Sequence, residues 1–217
     1  LLGGPRYNYG VLLLPKTPSA ALTEFRAALK VMPEDGNTFL GIASAHSALR
    51  NDANAYAAAR SAVKLLKDDA TRNSARFLAG QSAYNLKLYP AALTEFRTVL
   101  STNTSSFQYQ YWYGLALFQT KDFSNAIIAL ESAVKLNPNN LEVRSSLGAA
   151  YLGAKRWKDA ETVLLDVVRF DPRDSEAWYN LGLAVINQGK LGQGKTYLRR
   201  AAAEGSAAAK QLLSRLK

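Results

Sequence analysis

A glycine recurs every 34 residues along much of this chain, at Gly80, Gly114, Gly148 and Gly182. A small residue follows each of these glycines twelve positions later, and a large apolar residue follows soon after. A fixed period of this length is typical of proteins built from stacked repeats. We therefore expect a row of similar units, which offers a long surface groove and few places for an enclosed active site.

Within each unit the apolar residues recur at i, i+3, i+4 and i+7, which predicts amphipathic helices. The glycines and alanines stand where two helices must approach closely, and the large residues Phe96, Leu130 and Leu164 fill the space beside them. Asn137-Pro138 and Asp171-Pro172 end helices, because proline cannot continue one. The sequence thus predicts helix-turn-helix units without strands.

Two segments resemble the tetratricopeptide repeat (TPR): YWYGLALFQTKDFSNAIIALESAVKLNPNN at Tyr111–Asn140 and AWYNLGLAVINQGKLGQGKTYLRRAA at Ala177–Ala202. The match is tightest at Trp178, Leu181, Gly182, Val185, Gly194, Leu198 and Ala201. The resemblance implies an all-α, right-handed superhelical solenoid of about six helix-turn-helix repeats with a C-terminal capping helix. It carries much information about fold and little about function.

The resemblance also gives the layout of the chain. We expect a single TPR domain over residues 1–217, with a short insertion at Ala70–Arg72 and a Ser206 N-cap at the start of the capping helix. The predicted repeats cover residues 2–35, 36–69, 73–106, 107–140, 141–174 and 175–205, and the capping helix covers 206–217.

Composition restricts the possible partners. The 27 basic and 17 acidic residues give a net charge of +10, but the cations are scattered singly, as on ordinary solvated helix faces. We therefore do not expect nucleic acid as the partner. The absence of cysteine excludes disulfides and thiolate metal sites within these residues. No run of eighteen apolar residues occurs, so we expect no transmembrane segment.

Two apparent chemical motifs are expected to be structural. GKLGQGKT at Gly189–Thr196 matches the phosphate-binding loop of nucleotide hydrolases, but such a loop needs a strand before it, and the repeat places a helix there. His46, the only histidine, holds a position that faces the partner helix, so we expect it to pack. The Asn103-Thr104-Ser105 glycosylation triplet is interpreted as a chance match. We predict no catalytic residues, no metal, no cofactor and no enzymatic activity.

In TPR proteins the first helix of each repeat lines a concave face. Carried over to this chain, that face has aromatic side chains flanked by amides, which make good anchors for a bound polypeptide. The cations with which relatives clamp an acidic chaperone tail are missing, so we do not expect that ligand. The predicted partner-binding residues are Phe77, Gln81, Tyr84, Gln108, Tyr111, Trp112, Leu115, Phe118, Tyr179, Asn180 and Asn187.

The resemblance implies a non-catalytic scaffold that binds a peptide or helix of another protein, as a subunit of a larger assembly. The basic charge, the absence of cysteine and the lack of an initiator methionine favour a bacterial envelope protein of the pilus or secretion type, in the periplasm. The alternatives are a cytoplasmic location, a regulatory module of a larger protein, or a basic surface that binds nucleic acid or an anionic membrane.

Overall fold

A computed structural model of the chain describes residues 2–102 and 105–216. These residues form thirteen α-helices, and no strand occurs among them. Contacts divide the chain into two compact units, Leu1–Thr104 and Ser105–Lys217. A single domain over residues 1–217 therefore stays a prediction.

The helices follow one another as antiparallel pairs, and the first and second helix of a pair are called helix A and helix B below. Unit 1 contains α1 (Gly3–Leu13), α2 (Pro18–Leu29), α3 (Gly36–Ala48), α4 (Asp52–Leu65), α5 (Asp69–Asn85) and α6 (Tyr89–Leu100). Unit 2 contains α7 (Phe107–Gln119), α8 (Phe123–Leu136), α9 (Leu141–Gly153), α10 (Trp157–Phe170), α11 (Ser175–Asn187), α12 (Leu191–Ala203) and α13 (Ala207–Arg215). The predicted fold class, an all-α repeat solenoid, is confirmed.

The periodic glycine is the point of closest approach between helix A and helix B. A Cβ atom added to Gly148 would lie 2.6 Å from Cγ and Cδ2 of Leu164, and one added to Gly114 would lie 2.7 Å from Cγ of Leu130. Both leucines are fully buried. The glycines therefore provide the space that the large residue of helix B fills, as the sequence predicts.

The turn between helix A and helix B has the same conformation in five of the pairs. The residue at the turn has a positive φ, and it is Arg50, Lys87, Lys121, Lys155 or Gly189. The next N–H donates back to a carbonyl five residues earlier, as from Arg156 to Tyr151 at 2.8 Å. This is the Schellman arrangement, and it ends helix A and reverses the chain.

Polar side chains cap the N-termini of the A helices α3, α5, α7, α9 and α11. Asp174, for example, accepts a hydrogen bond from the N–H of Ala177 at 2.8 Å, and Asn140 accepts one from the N–H of Val143 at 3.0 Å. Such caps satisfy N–H groups that have no partner within the helix. They fix the starts of α9 and α11, which carry part of the site described below.

The C-terminal helix covers the end of unit 2, as predicted. Ser206 accepts a hydrogen bond from the N–H of Ala209 at 3.2 Å and so begins α13. Leu212, Leu213 and Leu216 pack against the core formed by Leu198, Ala201 and Ala209. A repeat array needs such a cover on its last apolar face. Lys217 lies outside the described residues.

The insertion at Ala70–Arg72 forms an extra first turn of α5. Asp68 begins this helix by accepting a hydrogen bond from the N–H of Thr71 at 2.8 Å. The predicted repeat border at residue 73 therefore lies within a helix, while Gly80 keeps its place against Phe96. Asn103 and Thr104 of the glycosylation triplet lie outside the described residues.

Candidate functional site

A pocket with a volume of about 480 Å³ lies within unit 2, between the A helices of successive repeats. It is lined by Tyr111, Leu115, Phe118, Gln119, Leu130, Leu141, Glu142, Ser145, Ser146, Ala149, Asp171, Asp174 and Glu176. This size is within the range of sites that bind small ligands or a few side chains of a peptide.

Helix α7 gives the pocket its aromatic side chains. Tyr111, Leu115 and Phe118 are spaced i, i+4 and i+7, so the helical period places them on one face. The ring of Tyr111 stacks on Phe107 with centroids 6.2 Å apart, and Phe118 meets Phe123 edge to face at 5.5 Å. These neighbours restrict the two rings before any ligand binds, which lowers the entropic cost of binding.

Helix α9 contributes small side chains. Ser145, Ser146 and Ala149 follow Glu142 at helical spacing, and all four line the pocket. The hydroxyl of Ser145 donates a hydrogen bond to Oδ2 of Asp174 at 3.3 Å, which joins α9 to the start of α11. The pocket is open because this face of α9 carries nothing larger than a serine after Glu142 until Leu152.

Four carboxylates line the pocket: Glu142 on α9, Asp171 and Asp174 between α10 and α11, and Glu176 on α11. In the described part of the chain, no lysine or arginine lines it. One oxygen of Asp174 caps α11 through the N–H of Ala177, and Asp171 accepts a hydrogen bond from the N–H of Arg173 at 3.0 Å. The pocket is therefore acidic in a chain whose net charge is +10.

The structure brings together three of the predicted partner-binding residues in this pocket, namely Tyr111, Leu115 and Phe118. Gln108 is exposed at the start of α7, outside the pocket lining, and Trp112 is half-buried with its ring 6.3 Å from Tyr111. A role for any of these residues in binding stays a prediction.

The other predicted residues lie elsewhere. On α11, Tyr179 packs against the core beneath α13, Asn180 is half-buried, and Nδ2 of Asn187 donates to the carbonyl of Leu183 at 2.8 Å.

On α5 in unit 1, the ring of Phe77 lies 5.9 Å from that of Phe96, and the ring of Tyr84 lies 5.5 Å from that of Tyr89. Gln81 is half-buried on the same helix.

The predicted partner-binding residues did not include Leu141 or the four carboxylates, although their repeat positions place Glu142 and Glu176 on the concave face. Glu142 and Glu176 stand 34 residues apart, at equivalent positions in the first turns of α9 and α11. That spacing was a signal in the sequence. Asp171 and Asp174 precede a helix, and only the packing of one repeat on the next shows that they reach the groove.

Two titratable groups with shifted pKa values, His46 and Tyr151, belong to the core. His46 is buried, its Nδ1 has no hydrogen-bond partner among the described residues, and burial together with Arg26 lowers its pKa. The hydroxyl of Tyr151 donates to Glu131 at 2.6 Å, and burial and that carboxylate raise the pKa of Tyr151 well above its ordinary value. His46 and Tyr151 occupy equivalent buried repeat positions, so packing explains both, and the interpretation of His46 as a packing residue agrees with its burial.

The segment that matches a phosphate-binding loop has a different conformation. Gly189 lies in the turn after α11, and residues 191–196 already belong to α12. The hydroxyl of Thr196 donates to the carbonyl of Gly192 at 3.2 Å within that helix. A phosphate loop requires a preceding strand and free backbone N–H groups, whereas the residues here are helical.

Three family models, each described as tetratricopeptide repeat, match residues 77–140, 117–181 and 175–203. Together they span more than half of the chain, and the match over residues 175–203 coincides with the pair α11 and α12. The chain is a tetratricopeptide repeat protein. A search of the curated proteins found no match to this TPR chain.

Solved structures with the same fold include YrrB, MamA and the Cut9–Hcn1 assembly. YrrB, described as a TPR protein with an unusual peptide-binding site, is 21% identical with a TM-score of 0.75, covering 88% of this chain and 97% of its own. MamA from Desulfovibrio magneticus is 20% identical with a TM-score of 0.72, covering 78% and 94%. Cut9 and Hcn1 form a hetero-tetramer of the APC/C; the match there is 18% identical with a TM-score of 0.72, covering 97% and 42%. At these identities the likeness defines the fold alone.

Within the described residues, no helix combines the length and the apolar character that a membrane span requires.

Proposed function

We propose that this TPR chain is a non-catalytic scaffold that holds a segment of another protein in the groove formed by its A helices. The observation that carries the proposal is the pocket of unit 2. On one side of the pocket lie the aromatic rings of α7, whose motion is restricted by neighbouring rings, and on the other side lie the small side chains of α9. Polar groups surround both. Aromatic anchors with hydrogen-bonding groups around them are the usual composition of binding hot spots.

The fold supports this function. TPR domains are protein-interaction modules, and YrrB is described as a TPR protein with an unusual peptide-binding site. We propose that Tyr111, Leu115 and Phe118 contact the partner segment here. The remaining predicted residues of unit 2 are proposed as further contacts in that unit, namely Gln108, Trp112, Tyr179, Asn180 and Asn187. Phe77, Gln81 and Tyr84 are proposed separately as partner contacts of unit 1.

We further propose that the scaffold works in a multiprotein complex of the bacterial cell envelope, in the periplasm. The absence of cysteine and the net charge of +10 support this setting. Cell fractionation with an antibody against the chain tests it: recovery with periplasmic markers is expected, and recovery with cytoplasmic markers would contradict the location without affecting the binding site.

An occluding substitution tests the groove. Ala149→Arg places a long cationic side chain in the pocket, where the carboxylates stabilise it, and so blocks any polypeptide occupant. Ala208→Arg on α13 is the matched control, because Ala208 is exposed and the change in charge is the same. Both variants are first checked for native circular dichroism and thermal unfolding.

Quantitative affinity capture from the source cell then compares the three baits. We expect one or a few proteins to be enriched by the parent chain and by Ala208→Arg, and lost with Ala149→Arg. Equal capture of the same proteins by all three baits would show that the pocket does not bind them.

A further inference from the structure

We propose that the pocket of unit 2 takes the lysine or arginine side chain of a partner polypeptide, so that the scaffold selects basic segments. This inference rests on the function proposed above and names the chemistry of the ligand. The shape and the aromatic side chains of the pocket make it the proposed binding site. Its negative charge determines which kind of side chain binds there.

The charge of the pocket is opposite to that of the chain. The sequence contains 27 basic and 17 acidic residues, yet four of the acidic residues and none of the basic ones line the pocket in the described part of the chain. Elsewhere, acidic side chains such as Glu24, Glu95 and Glu161 lie in ion pairs. Among the described residues, none of the four pocket carboxylates forms an ion pair, so their charge is available to a ligand.

Local structural roles account for only part of this arrangement. Glu142 and Glu176 lie in first turns of helices and Asp174 is an N-cap, positions where the helix dipole favours acidic residues. Those roles explain each residue separately. They do not explain why all four line one pocket or why no cation accompanies them.

A side chain on a polypeptide suits these carboxylates better than a metal ion. In the residues that the structure describes, no group of three acidic or histidine side chains converges as metal ligands would. The carboxylates instead lie beside Tyr111, Phe118 and Leu115, against which the methylene stem of a lysine or arginine can pack. The faces of the two aromatic rings also attract a cation directly.

The first step of the test selects ligands without assuming their charge. Short random peptides displayed on phage are panned against the full chain, and clones are kept only if they fail to bind Ala149→Arg and still bind Ala208→Arg. If no clone meets this criterion, the pocket does not bind polypeptides, and the proposed function fails together with this inference.

The second step tests the charge. The selected peptides are synthesised with a fluorescent label, and their dissociation constants are measured by anisotropy against the parent and against Glu142→Gln/Glu176→Gln. The control, Glu34→Gln/Asp69→Asn, removes two charges from exposed positions in unit 1, one of them also in a first helical turn. Each peptide is also made with citrulline for arginine or norleucine for lysine, which removes the cation and keeps a side chain of similar length.

We expect lysine or arginine in every selected peptide, and binding weaker by about tenfold or more with the pocket double variant or with the neutral peptide. The control should change the dissociation constant by less than about twofold, because neither residue lines the pocket and salt screens exposed charges. Pocket-dependent peptides that lack a cation, or that bind the pocket variant as tightly as the parent, would overturn the inference and leave the scaffold function standing.

Discussion

The glycine at position 148 allows a quantitative test of how the repeats pack. In Gly148→Ala the new methyl group would lie 2.6 Å from two carbons of Leu164, which is fully buried. Overpacking of this kind costs about 1–3 kcal/mol. The higher helix propensity of alanine returns about 1 kcal/mol. We therefore expect a net loss of about 1 kcal/mol in the free energy of unfolding.

Gly192→Ala is the matched control. Gly192 lies in α12, in the same unit, and a Cβ atom there would meet no other atom within 4 Å. Only the propensity term acts, so this variant should be unchanged or stabilised by up to about 1 kcal/mol. The two alanine substitutions should thus have opposite effects.

Tryptophan fluorescence during urea unfolding measures both variants. Trp112, Trp157 and Trp178 are the three tryptophans of the chain, and all belong to unit 2, as do both glycines. In a Leu164→Ala background the contact is gone, and Gly148→Ala should then stabilise. The reasoning is refuted if Gly148→Ala has the same effect in both backgrounds, because the loss would then not come from Leu164.

Three further predictions concern the turns, the core and pH. Lys121 has a φ of +64°, a conformation that glycine adopts without strain, so Lys121→Gly should raise the free energy of unfolding by about 1 kcal/mol. Lys195 lies inside α12, so Lys195→Gly should lower the free energy of unfolding by about 1 kcal/mol. Urea unfolding of the two variants measures both changes. Tyr151→Phe removes the hydrogen bond to Glu131 and should cost about 1–2 kcal/mol by the same assay; an unchanged value would contradict a stabilising role. The pKa of His46 is lowered in the fold, because its neutral form is favoured there. The contribution of His46 to the free energy of unfolding should therefore be fully present above about pH 6.5 and decrease as the pH falls below that value. His46→Leu should remove this part of the pH dependence in urea midpoints followed by circular dichroism, and an unchanged slope would show that other groups cause it.

The sequence predicted the features that repeat. The period of Gly80 to Gly182 placed the close helix contacts, the position of His46 identified it as a packing residue, and Ser206 marked the start of the last helix. The first two follow from comparing one repeat with the others, because equivalent residues have equivalent surroundings. The third follows from the preference for serine at a helix N-cap.

Features that depend on a particular neighbour were not predictable in this way. The position of Tyr179 within its repeat predicts that it faces the groove. It packs instead against the core beneath α13, a helix that has no equivalent in the other repeats. The sequence indicates only that Asp171-Pro172 ends a helix, and it assigns no role to Asp174. Both residues line the pocket because α9 packs beside them. Lysine at the positive-φ turns also departs from the usual glycine, since the hydrogen bonds of the turn hold the conformation.

The most direct test of the central claim is crosslinking from inside the pocket. A photoreactive benzoylphenylalanine at Ser146, which lines the pocket, is compared in the source cell with the same residue at Ala208, and crosslinked peptides are identified by mass spectrometry. We expect the Ser146 position to crosslink to one partner polypeptide, at a segment that contains lysine or arginine, and the Ala208 position not to crosslink to it. Crosslinks to that partner from Ala208 alone would contradict it.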